Sequence, residues 1–276
     1  MSNNKIICVG GKNEIGVATL ENILALKPEN TELVICCNKT ETGEDGWNRS
    51  LRKWANNYGI REVQLEELYS IEDLLFLSME YDSLIRPNLF KSNKLINIHF
   101  SLLPKYKGMY TSAIPILNGE TESGCTLHKI AAGIDTGDIL DQIKFDILPS
   151  DTCRDLYFKY EKYGIELVKR NLKGLIFDFD NLEFIKQSPY GSTYYSRKYI
   201  DYTNIVIDLN TTAEMITRQL RAFTFKEYQL PRVYEHEIVS WEILDSVSNA
   251  KSGTVIDENS ENLTIATVDY DLKLYK

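Results

Sequence analysis

Short apolar runs alternate with amphipathic ones through the first half of the chain. Lys5–Val9 turns apolar after its first residue and reads as a buried strand. Gly10-Gly11 closes it, and Val17, Leu20, Ile23 and Leu24 then recur at helical spacing. Glu32–Cys37 reads as a second strand. Trp47, Leu51, Trp54 and Ala55 give Trp47–Tyr58 helical periodicity, and Leu74–Leu77 and Leu95–His99 add further strands. This alternation predicts an α/β fold: a Rossmann-like, parallel-rich sheet with helices on both faces. Such sheets bind ligands outside the carboxyl ends of their strands.

The pattern changes in the second half. A longer helix is expected over Asp151–Leu172, with Ser150, Asp151 or Thr152 available as its N-cap. Another starts at Thr211, where Thr211 and Glu214 have capping-box spacing ahead of Met215, Ile216 and Leu220. From Tyr234 to Lys276 the chain breaks into short β-type runs, Val239–Leu244, Gly253–Ile256 and Leu263–Val268, separated by Asn, Ser, Asp and Gly. The expected division is an α/β domain over residues 1–200, then a helix and a small C-terminal β subdomain over 201–276. No internal repeat or low-complexity stretch interrupts this order.

Composition narrows the function classes. The 276 residues are 43% hydrophobic and 11% aromatic, ordinary for a globular protein. No apolar run approaches the roughly 20 residues of a membrane span, so no membrane association is expected. Met1–Asn4 leads straight into Ile6-Ile7-Cys8-Val9, which leaves no room for a signal peptide and predicts a cytoplasmic protein. Cys8, Cys36, Cys37, Cys125 and Cys153 form no C-x-x-C pair, so they read as reduced core thiols and no metal site is expected. The formal net charge of −9 argues against a nucleic-acid surface, although a few basic residues in one cleft can still hold a small anion.

Two stretches carry candidate chemistry. One runs Ile96-Asn97-Ile98-His99-Phe100-Ser101-Leu102-Leu103-Pro104 to Gly108, and the other is Gly133-Ile134-Asp135-Thr136-Gly137-Asp138. On an extended strand Asn97 and His99 share one face while Ile96, Ile98 and Phe100 take the other. They offer a base for an attacking amine and an amide donor for a developing oxyanion. Asp135, in a turn-forming segment, can orient or charge-couple the imidazole. The same residues also suit a hydrogen-bonded strand end, and residue types alone leave both readings open. Gly10-Gly11 with Gly16 follows a strand and opens a helix, as a phosphate loop does. It is not G-x-G-x-x-G, and no acidic residue closes the second strand at Cys36-Cys37-Asn38. It reads as the first turn of the fold or as a backbone approach to a diphosphate.

Asn97-x-His99-x-Ser101-Leu102-Leu103-Pro104, then Gly108, then Gly133-Ile134-Asp135-Thr136-Gly137 resembles the signature of the folate-dependent formyltransferases. That family includes methionyl-tRNA formyltransferase, glycinamide ribonucleotide formyltransferase and the sugar N-formyltransferases. The resemblance covers residues 75–145 and extends over residues 1–230. It implies that His99 is the general base or a charged partner, that Asn97 steadies the tetrahedral intermediate, and that Asp135 sets the state of His99. The implied formyl donor is N10-formyltetrahydrofolate, with its pterin near Met79, Tyr81, Leu84 and Arg86 and near the loop from Ile130 to Asp135. Met79-Glu80-Tyr81 reads equally well as a plain strand-to-loop turn.

Within the family the chain is most similar to the enzymes of dTDP-linked amino sugars. Tyr106-Lys107-Gly108-Met109-Tyr110-Thr111 and Arg221-Ala222-Phe223-Thr224-Phe225, continuing to Pro231, resemble their acceptor-facing segments. Met109 and Tyr110 depart from the small residues usual in the tRNA enzymes. Phe223 and Tyr228 can stack a nucleobase, and Lys12, Arg218 or Arg221 can offset a diphosphate. Phe223 and Phe225 also suit the core. The resemblance thus implies N-formylation of a dTDP-linked 3-amino or 4-amino-4,6-dideoxyhexose, a homodimer formed through the C-terminal half, and a product for O-antigen or another surface polysaccharide. Methionyl-tRNA formyltransferase is the alternative, disfavoured by the acidic chain, the short β appendage and the lack of a basic stripe. A nicotinamide-dependent oxidoreductase, resting on the glycine loop, is the alternative from another class. A binding-only protein is countered by the intact Asn97, His99 and Asp135.

Overall fold

The computed structural model describes residues 5–26 and 28–276; the Met1–Asn4 start, on which the signal-peptide reading rests, lies outside them. The chain divides into two units. The first comprises Met1–Gly108, Ser123–Phe145 and Lys159–Tyr194, and the second Met109–Glu122, Asp146–Phe158 and Tyr195–Lys276. A single cut near residue 200 does not describe this, because two earlier segments belong to the second unit.

The first unit begins with β1 (Lys5–Gly11), α1 (Asn13–Leu26), β2 (Thr31–Cys37), α2 (Leu51–Asn57), β3 (Arg61–Glu62), β4 (Leu74–Met79) and β5 (Lys94–His99). A short β6 (Lys107–Gly108), β7 (Glu122–Lys129) and β8 (Ile139–Asp146) follow. The sheet is seven-stranded in the order β3-β2-β1-β4-β5-β7-β8. Strands β1 to β5 pair in parallel, as the alternating pattern predicts, and β7 joins β5 antiparallel. Every residue of β4 is buried, and Leu74-Leu75-Phe76-Leu77-Ser78-Met79 is apolar but for Ser78, as suits a strand covered on both faces. Cys8, Val34, Phe76 and Leu95 pack on one side, while Phe100 stacks on Tyr160 with ring centroids 5.2 Å apart.

Local chemistry corrects several expected boundaries. Helix α2 starts at Leu51 rather than Trp47, because the Ser50 hydroxyl caps it by accepting the Lys53 N–H at 3.0 Å. A long helix α4 covers Cys153–Phe177. Thr152 is its cap: Thr152 Oγ1 accepts the Asp155 N–H at 3.3 Å, and the Asp155 carboxylate accepts the Thr152 N–H at 2.9 Å. Strands β7 and β8 were not expected: β7 is buried but carries the polar Ser123, Thr126 and His128, and β8 is a mostly half-exposed edge strand.

The second unit holds a short α3 (Ile114–Leu117), the start of α4, α5 (Ala213–Phe223) and the C-terminal strands. The cap of α5 is Thr212, accepting the Met215 N–H at 3.3 Å, one residue past the expected Thr211. After β9 (Tyr194–Tyr195), β10 (Arg232–Val233) and β11 (His236–Glu237) come β12 (Ser240–Ile243), β13 (Val255–Glu258), β14 (Asn262–Ile265) and β15 (Leu272–Tyr275). The last four form an antiparallel sheet in the order β12-β15-β14-β13. The appendage is β, as expected, but its buried partner β15 follows the last expected run, and only Leu272 and Leu274 of it are buried. No helix is long and apolar enough to cross a membrane among the described residues.

Candidate active site

The site is assembled in the first unit, where β5 ends between β4 and β7. Register places Asn97 opposite both Ser78 and His128, and His99 opposite Thr126. The strand alternation therefore puts Asn97 and His99 on one face, and the antiparallel neighbour adds His128 beside Asn97. Asp135 enters from the loop after β7, at a positive φ of 52°. Its Oδ2 accepts the Gly108 N–H at 2.8 Å and lies 3.5 Å from His99 Nδ1, while its Oδ1 is 3.6 Å from His128 Nε2. A Cβ on Gly137 would lie 1.7 Å from the Lys129 carbonyl oxygen, so this turn can close only with glycine there.

Two backbone carbonyls set the proton positions. His99 Nε2 is 2.7 Å from the Tyr106 carbonyl, which can only accept, so Nε2 carries the proton and Nδ1 keeps its lone pair in the neutral ring. In the same way His128 Nδ1 donates to the Lys129 carbonyl at 2.7 Å. His128 Nε2 then accepts from Asn97 Nδ2 at 3.1 Å. This fixes the Asn97 carboxamide and leaves its second N–H for a ligand.

The charges follow from burial. Desolvation lowers the His99 pKa, against the raising effects of the Asp135 carboxylate and the Tyr106 carbonyl; His128 and Lys107 lower it further. Burial alone would push Asp135 up. The two imidazoles and the Gly108 N–H outweigh it and hold the carboxyl below the usual range. The result is an ionised aspartate beside a neutral histidine whose free nitrogen can take a proton. A cavity of about 130 Å³ opens at this point, with Tyr81, Leu84, Asn97, His128, Ile130 and Asp135 among its lining residues.

Residues 67–172 match the family model described as formyl transferase. A solved sugar 3N-formyl transferase, WlaRD, crystallised with dTDP and 5-N-formyl-THF, is 41% identical, with 99% of this chain and 98% of that one covered and a TM-score of 0.89. The chain belongs to the formyl transferase family. An N-formyltransferase from Helicobacter canadensis, in complex with folinic acid and dTDP-3-aminofucose, is also 41% identical, with 98% of both chains covered and a TM-score of 0.88. The methionyl-tRNA formyltransferase of Francisella tularensis subsp. novicida is 32% identical over 182 residues, which is 63% of this chain and 54% of that one. The chain thus spans about half the length of the curated relatives it matches.

The structure brings several of the expected site residues together. Asn97, His99 and Asp135 form one network, and Tyr81, Leu84 and Ile130 line the adjoining cavity. Met79 is fully buried and spends its carbonyl on the Lys12 N–H at 3.3 Å, and Arg86 caps a short 3₁₀ turn; neither lines the cavity. A Cβ on Gly11 would sit 1.7 Å from the Met79 carbonyl oxygen. The first glycine loop is therefore packed against β4, which accounts for the motif without a phosphate. Of the acceptor candidates, Lys12, Lys107 and Gly108 belong to the first unit and Met109, Tyr110, Thr111, Arg221, Phe223 and Tyr228 to the second. Lys107 Nζ donates to Ser192 at 3.1 Å. Tyr110 donates to the Arg197 carbonyl at 2.7 Å, and its ring lies 5.2 Å from Tyr202. Phe223 is buried, which favours the core reading left open for it, and Arg221 donates to the Asp151 carbonyl at 3.2 Å. Tyr228 is exposed on the wall of a separate cavity of about 630 Å³, with Tyr202, Tyr234 and Arg232.

Sequence reasoning missed His128. A signal was present: it is one of the chain's three histidines, and it lies in the run Cys125-Thr126-Leu127-His128. Without the antiparallel pairing of β7 to β5, nothing assigned it to the Asn97 face.

Proposed function

We propose that this protein transfers the formyl group of N10-formyltetrahydrofolate to the amine of a dTDP-linked amino-dideoxyhexose, with the 3-amino sugar as first candidate. The observation that supports this most is the Asn97–His128–Asp135–His99 network, with both histidines buried, in a chain similar along nearly its full length to a sugar 3N-formyl transferase. The cavity beside it suits a flat polar heterocycle: Tyr81 and Leu84 supply apolar walls, and the loop from Ile130 to Asp135 lines it with Asn97 and His128. These residues would hold the pterin. Bound there, the folate would supply an activated formyl carbon, and the proton held by His99 would pass to its leaving nitrogen.

The chain's own groups do the rest. His99 Nδ1 takes the proton that the attacking amine gives up. Asp135 then faces an imidazolium at 3.5 Å and stabilises it. Asn97, held by His128, offers its free N–H where negative charge develops on oxygen. The 630 Å³ cavity of the second unit falls in the size range of small-ligand sites, and the exposed Tyr228 ring gives a nucleobase a stacking face. Five unpaired cysteines suit a reducing, cytoplasmic setting, and a homodimer is part of the proposal.

The test is direct. Purified protein is incubated with N10-formyltetrahydrofolate and dTDP-linked 3-amino and 4-amino sugars, and the formamide product is followed by mass spectrometry. Turnover of the 3-amino sugar is expected. A methionyl-tRNA acceptor is included because of the 32% match to the tRNA enzymes, and formylation of the tRNA with neither sugar used would replace this reading.

A further inference from the structure

The segment between α4 and β9 reaches back to the loop that carries Asp135. Ile185 and Ile139 exchange backbone hydrogen bonds, each 2.8 Å long, which anchors this segment at the start of β8. Beyond the anchor, Gln187 donates from Nε2 to the Asp135 carbonyl at 2.8 Å and to the Gly137 carbonyl at 2.7 Å. Two carbonyls can be met only by the NH₂ end of the amide, so the orientation of Gln187 is forced. Its Oε1 is left buried with no partner among the described residues. A buried acceptor without a partner is unfavourable, so the two bonds made by the other half of the amide must offset it.

What the paired half holds is an unfavourable backbone. Asp135 has a φ of 52°, a left-handed conformation that residues with a Cβ seldom adopt. The stem of the loop is closed independently, by the Lys129 N–H on the Asp138 carbonyl at 2.9 Å and by the Ile139–Ile185 pair. The tip closes on itself where the Thr136 hydroxyl donates to the Gly133 carbonyl at 2.9 Å, and Asp135 within it has two further holds. The Gly108 N–H takes the Asp135 carboxylate, and Gln187 takes the backbone beneath it. With the backbone hold released, the strain at Asp135 can relax and the carboxylate can turn from His99.

We propose that Gln187 is a positioning residue for formyl transfer: by clamping the backbone on both sides of Thr136 it keeps the Asp135 carboxylate against His99. This rests on the function proposed above, but its central observable does not need substrate. The charged and titratable groups facing His99 are Asp135, His128 and Lys107. Of these only Asp135 favours the imidazolium, so its withdrawal makes His99 harder to protonate.

The experiment uses Gln187→Met, which keeps the side chain's length and drops both N–H groups. His99 is titrated by NMR in ¹⁵N-histidine-labelled protein, its signal assigned by its loss in His99→Asn. A lower His99 midpoint is expected in Gln187→Met. With the amino sugar and folate, kcat is expected to fall about 10- to 100-fold while both KM values hold within about twofold. In the Asp135→Asn background, Gln187→Met is expected to add nothing to the loss. An unchanged His99 midpoint in a folded variant overturns the proposal. Should Gln187→Met lose its cooperative melting, Gln187→Asn retains the amide but not the reach, and carries the same readout. Failure of the wild-type protein to formylate any amino sugar overturns the proposed function instead and leaves the NMR comparison standing.

Discussion

The two units offer contrasting ways of building a site. In the first, the two histidines of the network are buried, His99 at 8% exposure and His128 at 2%, while Asn97 and Asp135 reach partly to the surface. Each is tied to backbone, to a neighbour, or to both. In the second, the candidate acceptor cavity has exposed tyrosines on its wall, with Tyr228 at 62% and Tyr234 at 56%. Groups that move protons need one fixed geometry and a known charge, which burial and hydrogen bonding provide. Groups that grip a ligand's remote part need area and a stacking face, which exposed aromatics provide at little conformational cost.

On that contrast, substitutions in the two regions are expected to separate kcat from KM. The largest effect is expected for His99→Ala, a loss of about 10²–10⁴ in kcat as the proton acceptor disappears. Asn97→Ala should follow with about 10²–10³, read in the same steady-state assay. Wild-type turnover in either variant would break the comparison from the catalytic side. Tyr228→Ala should raise KM for the dTDP-sugar about tenfold while kcat holds, and a fall in kcat at constant KM would break it from the binding side.

The pH dependence sharpens the same picture. His99 binds its proton more weakly folded than unfolded, so the unfolded chain gains protons first as pH falls through about 6.5. Stability from the neutral His99 is therefore present above that pH and lost below it. The acid limb of kcat/KM is expected below pH 6.5, and a limb above it would contradict a burial-lowered base.

The smallest expected effect lies away from the chemistry. Glu161 is buried and its carboxyl is raised to about 8, by desolvation first and then by Glu80 and Glu14. Folded protein keeps a proton here that unfolded chain releases above about pH 4.5, so this group's contribution falls as pH rises from there to 8. Glu161→Gln is expected to raise Tm by a few degrees at pH 8 and to leave it near wild type at pH 4.5, as read by calorimetry. An equal shift at both pH values would show that packing, not charge, is responsible.

The sequence by itself determined the parts that repeat at short range. Apolar runs set β1, β2, β4 and β5, and strand period two set Asn97 and His99 on one face. The glycine-bounded turn placed Asp135 in a loop. Cap identity slipped by one residue at Thr212, because adjacent threonines offer the same hydroxyl and only backbone geometry selects one. Tertiary structure decided what depends on register between distant segments. It brought His128 beside Asn97 through antiparallel pairing, put Phe223 in the core while Tyr228 stayed exposed, and carried Gln187 to the backbone of Asp135. The physical reason is that periodicity reports which face a residue takes, whereas a neighbour across a sheet or a loop is fixed only when the chain has closed on itself.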